Sequence, residues 1–199
     1  MVVKSNLNKN KYQLTYIIEN IVVKSSIEMN LDLDLVSRSI EGSDYNSKRL
    51  PGLFLRFKNP KGVVIVFNNG KIIITGLLKF YHILLILKKF ISLLSKIINF
   101  NPNLDINSLK TKIVNIVVTA NYYRQINLDL ATLLLNNVIY EPEIFPGLIN
   151  KVYKPFLSVY LIFSTGKVIL TGINKKELIE TSLLKLGKIF KEKKLFLIN

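Results

Sequence analysis

The side chains that could do covalent chemistry are few and poorly placed for it. Two carboxylate pairs, Asp32/Asp34 and Glu141/Glu143, are close enough in sequence to suggest a general acid and base. No histidine accompanies either pair, because the single histidine, His82, stands in an amphipathic run of Leu, Ile and Lys. The chain has no cysteine, which excludes disulfides, thiolate metal sites and cysteine nucleophiles. Neither a phosphate-cradling glycine loop nor a set of ligands with metal spacing is present. These residues predict a protein that is not an enzyme and takes no cofactor or metal.

Recognition chemistry is better supplied. The formal net charge is +15 over 199 residues. Residues 1–100 hold 15 basic and 6 acidic side chains, and residues 101–199 hold 13 and 7. Both halves are therefore basic, which suits a polyanion contacted by the whole molecule. Lys outnumbers Arg 24 to 4, a bias that fits an AT-rich genome, so single Lys-for-Arg exchanges carry little meaning.

The polar side chains best suited to hydrogen bonding recur. Asn20-Ile21-Val22-Val23 returns as Asn115-Ile116-Val117-Val118, a shift of 95 that also maps Tyr45 onto Tyr140, Pro51-Gly52-Leu53 onto Pro146-Gly147-Leu148 and Pro60 onto Pro155. Beyond that proline the shift is 96: Phe67 meets Phe163, Gly70-Lys71 meets Gly166-Lys167 and Thr75-Gly76 meets Thr171-Gly172. So many ordered matches define a tandem duplication. The extra residue between Pro155 and Phe163 is expected as a bulge.

Each copy needs the same elements to position these residues. A strand (16–26; 113–120) leads to a short helix (32–40; 127–136) opened by Asn-Leu-Asp or similar residues. Two strands follow, joined at Asn68-Asn69-Gly70 or Ser164-Thr165-Gly166, where Asn and Gly tolerate positive φ. A longer amphipathic helix (78–98; 175–191) closes the copy. On its wheel Ile83, Leu87, Phe90, Ile91, Leu94 and Ile98 share one face, opposite Lys88, Lys89 and Ser92. Four lysines interrupt residues 77–98, so the run is a packing helix and no membrane span is expected. The domains expected are an N-terminal extension (1–13), a first repeat (14–100), a linker (101–107) and a second repeat (108–199).

The strands Gly62–Phe67, Lys71–Thr75 and Ser158–Phe163 are apolar on both faces. Two helices per copy cover one face, which leaves the other as an apolar interaction surface. Strand alternation puts Asn20, Val22, Ile65, Phe67, Lys71, Ile73 and Thr75 on that open face. Its copy carries Asn115, Val117, Leu161, Phe163, Lys167, Ile169 and Thr171. An apolar floor with few polar groups and basic edges matches the DNA minor groove. A homodimer of the DNA-free protein is the alternative way to bury such a face.

At these residues the sequence resembles the TATA-box-binding protein family, in its eukaryotic form. The run Tyr140-Glu141-Pro142-Glu143-Ile144-Phe145-Pro146-Gly147-Leu148 is similar to the family's second-repeat signature, followed by Lys154-Pro155 and Gly166-Lys167 through Thr171-Gly172. The likeness covers about residues 14–192. It implies an α+β saddle, in which two pseudo-symmetric repeats form one curved antiparallel sheet with helices on the convex face. It also implies a general transcription factor that bends TATA promoter DNA through the minor groove and nucleates assembly of the pre-initiation complex in a nucleus. Partners implied are transcription factors of the TFIIB and TFIIA type and TBP-associated factors; the alternative is a divergent paralogue acting as a protein scaffold.

By the same resemblance, Phe145, Phe163, Phe67 and Leu50 stand at the wedge positions, and Asn20, Asn115, Thr75 and Thr171 at base-edge positions. Val22, Val117, Ile65, Leu161, Ile73 and Ile169 match groove-floor contacts. Arg49, Arg56, Lys71, Lys151 and Lys167 match phosphate contacts, while Glu141, Glu143 and Ile144 match the loop that engages TFIIB. Two departures stand out: Leu50 replaces a phenylalanine, and Lys151 replaces an arginine, which loses the planar fork.

Overall fold

A computed structural model describes residues 3–5, 14–98 and 109–197. Most of the expected extension (1–13) and all of the linker (101–107) lie outside the described residues. The chain forms two compact units: residues 20–114, and residues 115–199 together with 1–19.

In the unit of residues 20–114, β2 (Leu14–Ser26, entered at Asn20) is followed by α1 (Leu33–Ser39), β3 (Asp44–Tyr45), β4 (Gly52–Lys58), β5 (Lys61–Phe67), β6 (Lys71–Leu77) and α2 (His82–Leu94). The strand order is β3-β4-β5-β6-β2, with every described pairing antiparallel. The other unit repeats this plan with β7 (Lys112–Asn121), α3 (Leu128–Leu134), β8 (Val138–Ile139), β9 (Leu148–Val152), β10 (Ser158–Ile162), β11 (Lys167–Ile173) and α4 (Glu177–Glu192). Its order is β7-β11-β10-β9-β8. A short β1 (Val3–Ser5) pairs antiparallel with Leu14–Tyr16 of β2.

The short helices begin where side chains can satisfy free backbone donors. Asp32 accepts from Leu35 N at 3.0 Å, and Asn127 from Leu130 N at 2.9 Å. The long helices are offset or shorter than the periodicity predicts. Leu78–Tyr81 form a turn with N–H bonds from His82 to Lys79 O and from Ile83 to Phe80 O, and α2 starts only after it. Ile83, Ile86, Leu87, Phe90, Ile91 and Leu94 of α2 are buried, which matches the expected stripe except at Ile98, half-buried beyond the helix end, and adds Ile86.

Burial alternates as the pleat requires. Ile21, Val23, Val64, Val66, Ile72 and Ile74 are fully covered, as are Ile116, Val118, Ile162, Val168 and Leu170. Most of their neighbours on the opposite face are half-buried, and Lys24, Lys71 and Lys167 are exposed. The helices rest on the buried face, α2 on β5 and β6 and α4 on β11. Phe90 and Phe190 anchor the two cores without exposure.

The extra residue of the second copy is not a bulge. Pairing between β9 and β10 runs without a break from Ser158↔Val152 to Ile162↔Leu148, and the added residue lengthens the turn 153–157. In the first copy Lys58 pairs with Lys61 across Asn59-Pro60, a turn of minimal length. A turn absorbs an insertion without moving any side chain to the wrong face, whereas a strand would not. Register breaks occur elsewhere, at Thr75-Gly76 and Thr171-Gly172, where the glycines have φ of 79° and 85°.

Candidate nucleic-acid interface

The open face of each unit is built from strand partners that point the same way. Across residues 20–114, one row runs Asp44↔Phe54↔Ile65↔Ile73↔Lys24 and the next Arg56↔Val63↔Thr75, with Gly52 opposite Phe67. In the other unit, Ile139↔Ile149↔Leu161↔Ile169↔Thr119 forms one row and Lys151↔Val159↔Thr171 another. The predicted Val22, Ile65, Ile73, Val117, Leu161 and Ile169 are all half-buried members of this face. Sequence reading missed Lys24, Phe54, Val63, Thr119, Ile149 and Val159. Once the registers are known, the cross-strand rule places them directly.

Two polar groups in each floor are tied to one another. Asn20 Oδ1 accepts from Gly76 N at 2.8 Å, and its Nδ2 donates to Thr75 Oγ1 at 3.2 Å. Asn115 Oδ1 accepts from Gly172 N at 2.9 Å and from Thr171 Oγ1 at 3.2 Å. A backbone N–H can only donate, so it identifies the bound atom as the amide oxygen and leaves the NH₂ group as a donor, which in Asn20 reaches Thr75 Oγ1. Each tether exists because the bulge at Gly76 or Gly172 points its N–H at the asparagine. The arrangement presents a donor where minor-groove base edges present acceptors.

The positions expected to act as wedges differ between the units. In the second copy the rings of Phe145 and Phe163 pack edge to face at 5.8 Å between centroids, above Gly147. A Cβ on Gly147 would stand 2.7 Å from Phe145 Cε1, so only glycine admits the pair. Phe145 closes a turn in which Ile144 N and Phe145 N both donate to Glu141 O at 2.9 Å. The first copy repeats that turn, with Arg49 N and Leu50 N donating to Asn46 O at 3.0 Å. Leu50, 39% exposed, occupies the place of Phe145.

Arg49, Arg56, Lys71, Lys151 and Lys167 are exposed around these faces. A hollow of about 490 Å³ is lined by Val22, Phe67, Ile73, Lys24, Lys71, Lys110 and Lys112, which adds three lysines that the sequence did not single out. Lys110 pairs with Glu28 at 2.7 Å, and that bond raises the ammonium pKa. Glu141, Glu143 and Ile144 project from their turn, Ile144 being 80% exposed. The described residues contain no group of His, Cys, Asp and Glu able to hold a metal, and no helix long and apolar enough to cross a membrane.

Duplicated five-stranded units with paired helices and an apolar, basic-rimmed open face define a nucleic-acid-binding class of the two-repeat α+β type. The family model for transcription factor TFIID (or TATA-binding protein, TBP) matches residues 15–97 and 110–193. The chain belongs to this TATA-binding protein family. It is 37% identical over 173 residues to the TATA-box-binding protein of Sulfurisphaera tokodaii, covering 87% of this chain and 85% of that one. Against the TATA-box-binding protein of Pyrodictium occultum the identity is 39% over 161 residues, covering 80% and 78%. The solved structure of Methanococcus jannaschii TBP matches with a TM-score of 0.78 at 34% identity, over 89% of this chain and 98% of that one.

Proposed function

We propose that this chain is a general transcription factor that binds and bends A·T-rich TATA promoter DNA through its minor groove and nucleates assembly of the initiation machinery. The observation that carries the reading is the open face itself: in each repeat an apolar floor surrounds one tethered Asn–Thr pair. Donors are scarce on such a face, so selection rests mainly on groove shape and ease of kinking, which favours TA steps. Phe145 with Phe163, and Leu50 with Phe67, are the wedges. Unstacking a step costs a few kcal/mol in minor-groove wedge proteins, this family among them, and the wider contact with bent DNA offsets that cost. Arg49, Arg56, Lys71, Lys151 and Lys167 contact phosphates. The exposed turn of Glu141, Glu143 and Ile144 engages a TFIIB-type factor, and TFIIA-type and TBP-associated factors dock elsewhere.

The named relatives are archaeal, so its place of action is the promoter DNA of its cell, within a nucleus where the cell has one. Leu50 favours a second reading, a paralogue with weakened DNA binding that serves as a protein scaffold. Energy transfer between end labels on a TATA duplex separates the two. The DNA-bending reading expects tight binding and strong bending that is lost in Phe145→Ala/Phe163→Ala. Binding no tighter than to a G·C-rich duplex, without bending, would leave the scaffold reading standing.

A further inference from the structure

A side-chain amide can turn over. Asparagine carries its donor and its acceptor on one planar group, and a half-turn about Cβ–Cγ exchanges them. An asparagine free to do so on a minor-groove floor would read every base pair. It would donate to the acceptors of A·T, or accept from the amine of guanine. Selection therefore needs a neighbour that tolerates one orientation only.

Thr75 and Thr171 do not meet that need, because a hydroxyl donates or accepts as required. Thr75 Oγ1 lies 3.2 Å from Asn20 Nδ2 and 3.4 Å from its Oδ1, and suits either. The backbone N–H groups of Gly76 and Gly172 have no lone pair to offer. They reach Asn20 Oδ1 at 2.8 Å and Asn115 Oδ1 at 2.9 Å. Turning either amide over would set two donors against each other and leave both unpaired. Among the described residues the Asn115 NH₂ group makes no hydrogen bond, and that of Asn20 uses one hydrogen on Thr75. Each asparagine thus keeps an N–H for a ligand.

The two glycines serve the backbone rather than the need for room. The nearest atoms to a Cβ would stand at 3.6 Å over Gly76 and 3.5 Å over Gly172, which is ordinary contact. Their φ of 79° and 85° is the feature that other residues rarely adopt. Both lie in register breaks of the ladder, where a bulge leaves an extra residue out of the pairing. Asparagine and Thr-Gly recur together in both repeats, although Leu50 and Phe145 have diverged.

We infer that Gly76 and Gly172 are positioning residues: their backbone N–H groups lock Asn20 and Asn115 as donors towards the groove, so that each repeat rejects a guanine amine at one base pair. This rests on the DNA-bending reading and adds a hydrogen-bond check to selection by shape. A guanine amine facing a locked N–H leaves two donors unpaired in a closed interface, which costs more than a missing contact.

The test uses the full chain and TATA duplexes in which 2,6-diaminopurine replaces adenine at one position at a time. That exchange keeps the pairing partner and adds only the minor-groove amine that guanine carries. The parent should bind the amine-bearing duplex on the order of tenfold more weakly at two positions, one per repeat. Gly172→glycolic acid makes an ester that lacks the N–H; it should lower that discrimination several-fold at one of the two positions and leave the other unchanged. Asn115→Asp keeps an acceptor for Gly172 N–H and presents a second acceptor, so at the same position it should favour the duplex carrying the amine. The ratio of the two affinities is the readout, because a defect of folding weakens both alike. An ester variant with the parent's ratio, or Asn115→Asp without a shift towards the amine, would overturn the inference and leave the bending reading intact. Absence of bending of the adenine duplex by the parent would instead count against the DNA-bending reading itself.

Discussion

One methyl group at Gly147 would collide with the ring pair that stands above it, since its Cβ would lie 2.7 Å from Phe145 and 3.0 Å from Phe163. Gly147→Ala should therefore turn the wedge aside and reduce DNA bending several-fold, with a change in thermal midpoint of only a few degrees. Energy transfer on a labelled duplex and a melting curve check the two halves of that statement. Tyr122 gives a prediction of another kind. Its ring is buried against Phe190 and Phe196, and burial pushes the phenol well above its usual 10.0. The unfolded phenol ionises near pH 10 while the folded one stays protonated, so the unfolded state binds fewer protons and stability falls as pH rises past that point. Urea unfolding at pH 8 and pH 10.5 should show a smaller loss in Tyr122→Phe than in the parent. The pairing of Phe145 with Phe163 was legible because the flanking Pro-Gly and Gly-Lys dipeptides fix their place in the repeat. The Asn–Gly tethers were not, because a bulge glycine finds its asparagine only across strands.

Short helices depend on their first turn. α1 and α3 have seven residues each, too few to hold together by propensity, and each starts on one side-chain cap. Asp32→Ala and Asn127→Ala should each cost about 1 kcal/mol, read as a lower urea midpoint with unchanged slope. The starts of both helices were visible in the sequence, as were the hairpin turns at Gly70 and Gly166. The ends of α2 were not. Apolar periodicity continues through Leu78–Phe80, but the chain leaves the bulge at Gly76 and spends those residues in a turn before the helix can start. Leu84 and Leu85 continue the apolar run on the exposed side of α2, where hydropathy alone gives no sign of their position.

Across the whole molecule the charge acts as a sum. If the five proposed cations each neutralise a phosphate, the logarithm of the association constant should fall with the logarithm of salt concentration at a slope of about −4.5. Lys167→Gln should flatten that slope by about 1 and weaken binding equally on all sequences. Titration at several salt concentrations measures both, and a Lys167→Gln slope equal to the parent's would remove that residue from the phosphate set. The duplication made most of this architecture readable, because two noisy copies average into one clear pattern. The asymmetry at Leu50 was legible too, because the shift of 95 sets it opposite Phe145.

The lengthened turn at 153–157 shows that this chain has already tolerated an insertion between paired strands. Natural drift has thus marked a graft point. A fluorophore, a short tag or a crosslinker introduced there would ride on the second repeat without shifting its strand register, and would give the two otherwise similar ends of the protein distinguishable signals.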